Sequence, residues 1–184
     1  MIFKETRLRG AYIIDIDRRE DDRGFFGRIW CRREFEQHGL NPALVQCSVS
    51  YNKRRATLRG MHYQAAPFQE AKLIRCTMGA IYDVIVDLRE DSETYGQWTG
   101  ISLTAQNRTM VYVPEGFAHG FQTLENATEV VYQMSEFYHS AAAEGIRYND
   151  PHVDITWPLT QPILSEKDRQ LPLLDAIRPE THFH

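Results

Sequence analysis

The chain contains 184 residues, of which 42% are hydrophobic and 11% aromatic, and this is enough to build one domain with a substantial core. The formal net charge of -4 and the absence of a basic stripe argue against a protein that binds nucleic acid. No apolar run approaches the ~18 residues of a membrane span, and the first residues lack the apolar region of a signal peptide, so we expect a cytoplasmic protein without a membrane partner.

Strand-like runs separated by turn signals dominate the chain. In chain order they are Tyr12–Ile16, Leu73–Arg75, Ile81–Leu88, Gly100–Leu103, Met110–Val113 and Glu129–Met134. Residues 31–40 have helical character, and Gly39 is placed to end that helix. Residues 156–179 are marked by prolines and are expected to end in a short helix, and about 177–184 are expected to form a mobile tail. The pattern predicts a single all-β domain, residues 1–184, built as a sandwich or barrel with short peripheral helices.

The stretch from Leu58 to Arg89 is predicted to form two strands, although polar residues fall among its apolar ones. Alternation along Ile81–Leu88 puts Asp83 on one face with two isoleucines, and the opposite face is wholly apolar or aromatic. We expect the apolar face to be the core of the sandwich. The face with Asp83 either lines a polar cavity or simply meets solvent, and this strand alone does not decide between them.

Two motifs favour the cavity. Residues 114–119 read P-x-G-x-x-H and resemble the second motif of the cupin superfamily, whose histidine points into the barrel. In the first cupin motif, His62 takes the first histidine position, Gln64 stands at the second, and Lys72 stands at the acid. An ammonium group beside a divalent cation is electrostatically unfavourable, so we expect a cupin jelly-roll without a bound metal, in which Lys72 supplies the positive charge. The three cysteines form no CxxC pair, which predicts reduced thiols and no zinc site.

An ordered set of further motifs narrows the resemblance. In chain order it comprises DDRGFF, LRGMHYQ, KLIRCTMGAIYDVIVDLR, SETYGQW, VYVPEGFAHGFQTL, VVYQMSEFY, GIRYNDP and LSEKD, which run from Asp21 to Asp168. The chain therefore resembles the dTDP-4-dehydrorhamnose 3,5-epimerases. The resemblance implies a jelly-roll β-sandwich, a homodimer with strand exchange, no cofactor, and a nucleotide-linked 4-keto-6-deoxyhexose as substrate.

The resemblance also assigns catalytic roles. His62 is the general base, Asp168 orients it, and Tyr132 is the acid on the opposite side of the sugar. Lys72 and His119 face the C4 oxygen of the sugar, and Asp83 is the acid that supports His119. Taken singly, His62 could be an ordinary core histidine and Tyr132 a core aromatic, but a lysine turned into a barrel needs a reason.

The expected substrate-binding residues follow the same resemblance and the chemistry of their side chains. Guanidinium groups match phosphate oxygens, rings offer a surface to a base or sugar, and small polar groups bind hydroxyls. The set consists of Arg23 and Arg59 for the diphosphate, Phe26 and Tyr138 as ring surface, Gln46 and Ser50 as polar contacts, and Glu144 as a further acid of the pocket.

Three positions depart from the family pattern, and they bear on specificity. Arg28 stands where the family often has an acid, Cys47 replaces an aspartate, and Ser48 replaces an asparagine. The departures suit a relative with a different sugar or nucleotide, or an enzyme that inverts only C3 or only C5. A sugar-nucleotide 3,4-ketoisomerase on the same scaffold and a non-catalytic sugar-nucleotide binding module remain as alternatives.

Overall fold

The computed structural model describes residues 1–177, which form two antiparallel β-sheets packed face to face, together with a small hairpin and three short helices. The elements are β1 (Ile2–Glu5), β2 (Tyr12–Asp15), β3 (Arg19–Asp21), β4 (Gly24–Phe26), α1 (Arg32–Gln37), β5 (Gln46–Asn52), β6 (Leu58–Gln64), β7 (Lys72–Met78), β8 (Ala80–Asp87), β9 (Trp98–Thr104), β10 (Met110–Val113), β11 (Phe117–Thr123), β12 (Thr128–Met134), β13 (Ala143–Gly145), α2 (Glu166–Arg169) and α3 (Leu174–Ile177).

The order of strands brings distant segments together. The six-stranded sheet has the order β1-β2-β10-β7-β12-β5, the five-stranded sheet has the order β13-β6-β11-β8-β9, and β3 and β4 form a separate hairpin. Neighbouring strands in both sheets are therefore mostly non-consecutive in sequence. The predicted all-β sandwich is confirmed, and its polar residues can meet only because of this crossed connectivity.

Apolar side chains fill three layers. The cluster between the two sheets includes Ile74, Ile85, Val111 and Phe121. A second cluster lies between the outer face of the five-stranded sheet and the C-terminal segment, and a third lies between the outer face of the six-stranded sheet and α1, where Phe35 is buried. The C-terminal segment and α1 therefore each cover an outer sheet face that would otherwise expose apolar surface.

Two expectations about the stretch from Leu58 to Arg89 were wrong. The stretch contains three strands, β6, β7 and β8, rather than two. The apolar face of β8 is also not the core between the sheets, because Val84 and Val86 pack outward against the C-terminal segment. The other face, with Ile81, Asp83 and Ile85, points between the sheets. Both faces are buried because a long C-terminal segment crosses the sheet, and strand alternation alone cannot reveal that cover.

A bulge in β6 changes which of its residues face inward. His119 of β11 pairs with His62, but Phe121 pairs with Arg59, so β6 contains one extra residue between these two pairs. The extra residue reverses the alternation, and side chains three positions apart reach the same cavity. Gly60 lies in the bulge with φ +132, and a Cβ there would come within 2.5 Å of the Cα of Gly120. The bulge therefore requires glycine at position 60.

Two of the three helices were expected from the sequence, and α2 (Glu166–Arg169) was not. The predicted early helix is α1, and Gly39 follows it with φ +68, a conformation that favours glycine. The expected C-terminal helix is present as α3, which ends at Ile177; the rest of the expected mobile tail, 178–184, lies outside the described residues. None of the helices within residues 1–177 is long and apolar enough to span a membrane.

Candidate active site

A cavity of about 480 Å³ opens between the two sheets at the end where β6, β7, β11 and β12 meet. Five of the six expected catalytic residues line it: His62, Lys72, His119, Tyr132 and Asp168. Asp83 is the exception, because it is fully buried behind His119. Residues from five separate segments of the sequence thus converge on one cavity of the size that holds a small ligand.

His62 forms an ion-pair-like contact with Asp168. The Nε2–H group of His62 donates to Oδ1 of Asp168 at 2.7 Å. Asp168 is held in turn by α2, where the Ser165 hydroxyl caps the helix by accepting from the Asp168 backbone N–H at 3.1 Å. Burial raises the pKa of Asp168, but the hydrogen bond and charge of His62, with donors from Ser165 and the Gly60 backbone, outweigh it and lower the pKa overall. A carboxylate on Nε2 leaves Nδ1 as the nitrogen with a free lone pair.

His119 and Asp83 form a second pair in the wall of the cavity. Register brings His119 opposite His62 on the neighbouring strand. The Nε2–H group of His119 donates to Oδ2 of Asp83 at 2.8 Å, and both side chains are almost completely buried. Burial raises the pKa of Asp83, and His119 offsets only part of that rise. Oδ1 of Asp83 has no hydrogen-bond partner among residues 1–177, so the pair is held by one strong contact.

Tyr132 lies on the opposite sheet from His62 and His119. Its ring meets the ring of His119 edge-on, with centroids 5.9 Å apart, and packs at the border of the core between the sheets. Burial raises the pKa of Tyr132, the negative charge of Asp83 raises it further, and Arg59 lowers it by less. The phenol is therefore held in its protonated form, able to donate.

Lys72 begins β7, and its side chain is only 10% exposed. Its Nζ lies 2.7 Å from Oε1 of Glu70, whose side chain is equally buried. Gln64, at the second cupin histidine position, donates its two Nε2 hydrogens to the backbone oxygens of Phe68 and Phe137, and one of these hydrogens is shared with Oε2 of Glu70 at 3.3 Å. The two altered cupin ligand positions are thus joined through one carboxylate.

Four of the seven expected substrate-binding residues line the cavity: Ser50, Arg59, Tyr138 and Glu144. Arg59 is fixed by Asn52, whose Oδ1 accepts from Nε at 2.8 Å. Glu144 accepts a hydrogen bond from the Tyr63 hydroxyl at 2.8 Å. Gln46 does not line the cavity, but its Oε1 accepts from the backbone N–H of Tyr138 at 2.6 Å and so supports the segment that carries that ring.

The other two expected substrate-binding residues lie apart from the cavity of this chain. Arg23 and Phe26 belong to the β3–β4 hairpin, where Arg23 pairs with Asp21 and Phe26 is 77% exposed. Arg28 contacts Glu34 at 3.1 Å on the surface. Of the two β5 departures from the family pattern, the side chain of Cys47 does not line the cavity, whereas Ser48 lines it opposite Tyr132 in register.

The sequence did not point to several residues that line the cavity. Tyr63, Glu70, Ser165 and Lys167 are among them. Ser165 and Lys167 belong to the same SEKD segment as Asp168, so its position near the base could have suggested them. Nothing in the sequence distinguishes Glu70, which precedes β7 in a turn, from a solvated surface acid.

Residues 1–177 contain no group of three or more His, Cys, Asp and Glu side chains arranged to hold a metal ion. The cavity wall instead contains the ammonium of Lys72, which repels a divalent cation, and the amide of Gln64, whose Oε1 already accepts from the backbone N–H of His139. All three cysteines are unpaired.

Comparisons with known proteins identify relatives along most of the chain. The family model described as dTDP-4-dehydrorhamnose 3,5-epimerase matches residues 5–176. A curated protein of that description from Methanothermobacter thermautotrophicus is 43% identical over 170 residues, which is 91% of either chain.

Solved structures agree with this match. The crystal structure of dTDP-4-dehydrorhamnose 3,5-epimerase from Elizabethkingia anophelis superposes with a TM-score of 0.94 at 38% identity, covering 96% of this chain and 98% of that one. The Bacillus anthracis structure, with TDP and PPi bound, gives 0.90 at 45% identity, covering 94% and 99%. A 3'-monoepimerase from Streptomyces bikiniensis gives 0.85 at 31% identity, covering 92% and 86%. The expected cupin-like jelly-roll is confirmed by these superpositions.

Proposed function

Because the chain belongs to the dTDP-4-dehydrorhamnose 3,5-epimerase family and is an isomerase of that type, we propose that His62 and Tyr132 carry out its proton transfers on opposite sides of a dTDP-linked 4-keto-6-deoxyhexose. One observation carries the proposal. His62, on the five-stranded sheet and in contact with Asp168 of α2, lines the same cavity as Tyr132 on the six-stranded sheet. Epimerisation next to a ketone requires such a pair, because the proton must leave from one face and return to the other.

The base is the Nδ1 atom of His62. Asp168 accepts the Nε2 proton, which fixes the tautomer and stabilises the imidazolium that forms when Nδ1 takes the proton from the carbon next to the ketone. Within residues 1–177, Nδ1 has no hydrogen-bond partner, so it is free to meet the substrate.

The enolate oxygen is bound by Lys72 and by the Nδ1–H group that His119 carries in its doubly protonated form, because Asp83 holds the Nε2–H group. Both side chains line the cavity and are largely removed from water, where a charged donor stabilises developing negative charge strongly. A preorganised donor of this kind is commonly worth ~3–4 kcal/mol of barrier. Asp83 keeps the Nε2 proton of His119 engaged and so holds the imidazole in one orientation.

Tyr132 donates the returning proton. Its raised pKa keeps the phenol protonated, and its position on the sheet opposite His62 suits delivery to the face that His62 did not deprotonate. Arg59, which lines the cavity, can bind the diphosphate of the substrate, and Tyr138, Ser50 and Glu144 can contact its nucleobase and sugar.

The proposal includes a homodimer. Phe26 and Phe25 of the β3–β4 hairpin are exposed, and so are Val49 and Tyr51 on β5, the outermost strand of its sheet. Exposed apolar residues on a hairpin and on a sheet edge favour association with a second chain. In such a dimer, Arg23 and Phe26 of one chain would reach the cavity of the other. Light scattering after size-exclusion chromatography measures the mass, and a monomer would overturn this part.

The experiment that tests the function is incubation with dTDP-4-keto-6-deoxyglucose in deuterated water, followed by NMR and product analysis. Deuterium at C3 and C5 with both centres inverted is the result for a 3,5-epimerase, and incorporation at one centre is the result for a monoepimerase. A product with its keto group at C3 would indicate a ketoisomerase, and no incorporation at all would contradict the proposal. The cytoplasmic location expected from the sequence stays a prediction.

A further inference from the structure

The carboxylate of Glu70 lies in the cavity wall, and the proposed mechanism does not use it. Its Oε1 lies 2.7 Å from Nζ of Lys72, and each side chain is only 10% exposed. A carboxylate so close to the group that binds the enolate partly neutralises the positive charge, and this by itself would weaken enolate binding. A buried pair of this kind therefore needs an explanation in terms of what Lys72 would do without it.

An isolated ammonium group that is nine-tenths buried is unfavourable, since the charged form loses its hydration. Such a group can lose its proton or turn toward solvent, and either change would remove the donor from the cavity. One carboxylate at hydrogen-bond distance holds one of the three ammonium hydrogens and leaves two for the substrate. The pair thus keeps a charged donor inside a largely buried cavity wall.

Glu70 is itself held in place. Gln64 is 4% exposed, and the two hydrogens of its Nε2 are donated to the backbone oxygens of Phe68 and Phe137 at 2.9 and 3.0 Å, one of them being shared with Oε2 of Glu70 at 3.3 Å. The Oε1 atom of Gln64 accepts from the backbone N–H of His139 at 2.6 Å, which fixes the orientation of the amide. A chain of contacts therefore runs from the backbone through Gln64 and Glu70 to Nζ of Lys72.

We propose that Glu70 is the positioning residue for Lys72, fixing the ammonium group in the cavity where the keto oxygen of the substrate binds, and that Gln64 orients Glu70 for this purpose. The inference rests on the proposed role of Lys72 in the reaction. It adds a residue that acts through Lys72 rather than on the substrate.

The test is a double-mutant cycle in kcat with Glu70→Gln, Lys72→Gln and the double variant. Glu70→Gln keeps the shape of the side chain but removes its charge, and we expect kcat to fall ~10–100-fold with KM changed less than about 3-fold, because the donor is displaced but the binding groups remain. Lys72→Gln should lower kcat by ~10²–10³-fold, in the range for loss of one oxyanion donor. The double variant should be no slower than Lys72→Gln, because Glu70 has no ammonium left to position.

Controls separate positioning from folding. Glu90→Gln removes the same charge at an exposed position beyond β8 and should leave kcat unchanged. Thermal unfolding identifies any variant that fails to fold, and Glu70→Asp, which keeps the charge on a shorter side chain, should recover part of the activity lost in Glu70→Gln.

The outcomes also distinguish the two layers of the argument. Full activity in Lys72→Gln would overturn the proposed role of Lys72, and the inference with it. Loss in Lys72→Gln with none in Glu70→Gln would overturn only the role of Glu70. If the fold-losses in kcat of the two single variants multiply in the double variant, Glu70 acts independently of Lys72. If Glu70→Gln loses deuterium exchange at one centre only, Glu70 is a base. Either result refutes the proposal that Glu70 positions Lys72.

Discussion

Replacing Tyr132 by phenylalanine separates the two proton transfers. The change removes one hydroxyl group and keeps the ring, whose contacts with His119 and Phe121 have centroid distances of 5.9 and 6.5 Å. That hydroxyl has no hydrogen-bond partner among residues 1–177, so no partner is left unsatisfied and we expect a loss of less than ~1 kcal/mol in the free energy of unfolding. For a chain of this length, such a loss lowers Tm by ~2–4 °C at most.

The chemical consequence should be much larger. Loss of a positioned acid costs ~10²–10⁴-fold in rate, which corresponds to about 3–5 kcal/mol of barrier. Since His62 and Asp168 are untouched, enolate formation should continue, and substrate protons should still exchange with solvent. Inversion should fall by that factor, because the proton now returns mainly from the face it left.

Two measurements on one sample test this. NMR in deuterated water follows exchange at C3 and C5, and product analysis gives the ratio of epimers. Tyr148→Phe is the matched control, because Tyr148 lies outside the cavity and outside the surface proposed for the dimer, and the change should alter neither quantity. If exchange and inversion fall together, Tyr132 acts at enolate formation; if neither falls, it is a packing residue. Both results refute the reasoning.

Four further outcomes are expected. His62→Ala should abolish exchange at every centre, whereas Asp168→Asn should retain a measurable fraction, since the imidazole remains but loses its orienting charge; near-normal exchange in the first variant would refute the assignment of the base. Turnover should survive exhaustive treatment with a chelator. If the chelator abolishes turnover and a divalent cation restores it, the prediction of a metal-independent enzyme is wrong. Gly60→Ala should destabilise the fold by at least about 3 kcal/mol in urea unfolding, because the added Cβ would lie 2.5 Å from the backbone of the neighbouring strand. In the control Gly39→Ala, the added Cβ would have no atom within 4 Å, and the loss should be only about 1 kcal/mol. Equal losses in the two variants would argue against the bulge. Burial raises the pKa of Asp87, but its arginine, serine and threonine donors lower that pKa below the ordinary 3.8 overall. The stabilisation from Asp87 is therefore complete above the ordinary pKa and is lost as pH falls through the lower folded value. Asp87→Asn should cost about 3 kcal/mol of unfolding free energy at neutral pH and flatten the acid side of the stability curve, and an unchanged curve would contradict this argument.

The chemistry of the site was largely readable from the sequence. The spacing from Pro114 to His119 and the HYQ motif around His62 indicated the cupin superfamily, because turns and strands fix how side chains at given spacings point, and the ordered set of motifs from Asp21 to Asp168 narrowed the resemblance to the epimerase family. Strand alternation correctly grouped Asp83 with Ile81 and Ile85 on one face of its strand, although it did not reveal that this face is the one between the sheets. These are local properties, set by a few neighbouring residues, and local patterns carry them well.

The arrangement of the site was decided by the tertiary structure. Strand alternation would put Arg59 and His62 on opposite faces, and only the bulge between them turns both toward the cavity. The contact of His62 with Asp168 joins residues 106 positions apart, and it depends on α2 folding back across β6. No local pattern encodes a contact over that separation.

Tertiary packing also decided the burial of the outer sheet faces and the ion pair of Lys72 with Glu70. Val84 and Val86 read as core residues from alternation, and they are buried, but by the C-terminal segment rather than by the facing sheet. Glu70 has the composition of a surface acid and is buried only because the turn before β7 folds over the cavity, with Gln64 holding its carboxylate. The sequence by itself determined which chemical groups this protein has and the order of its strands along the chain; packing between distant segments decided which of those groups meet, because burial and partnership depend on what covers a residue and not on its neighbours in sequence.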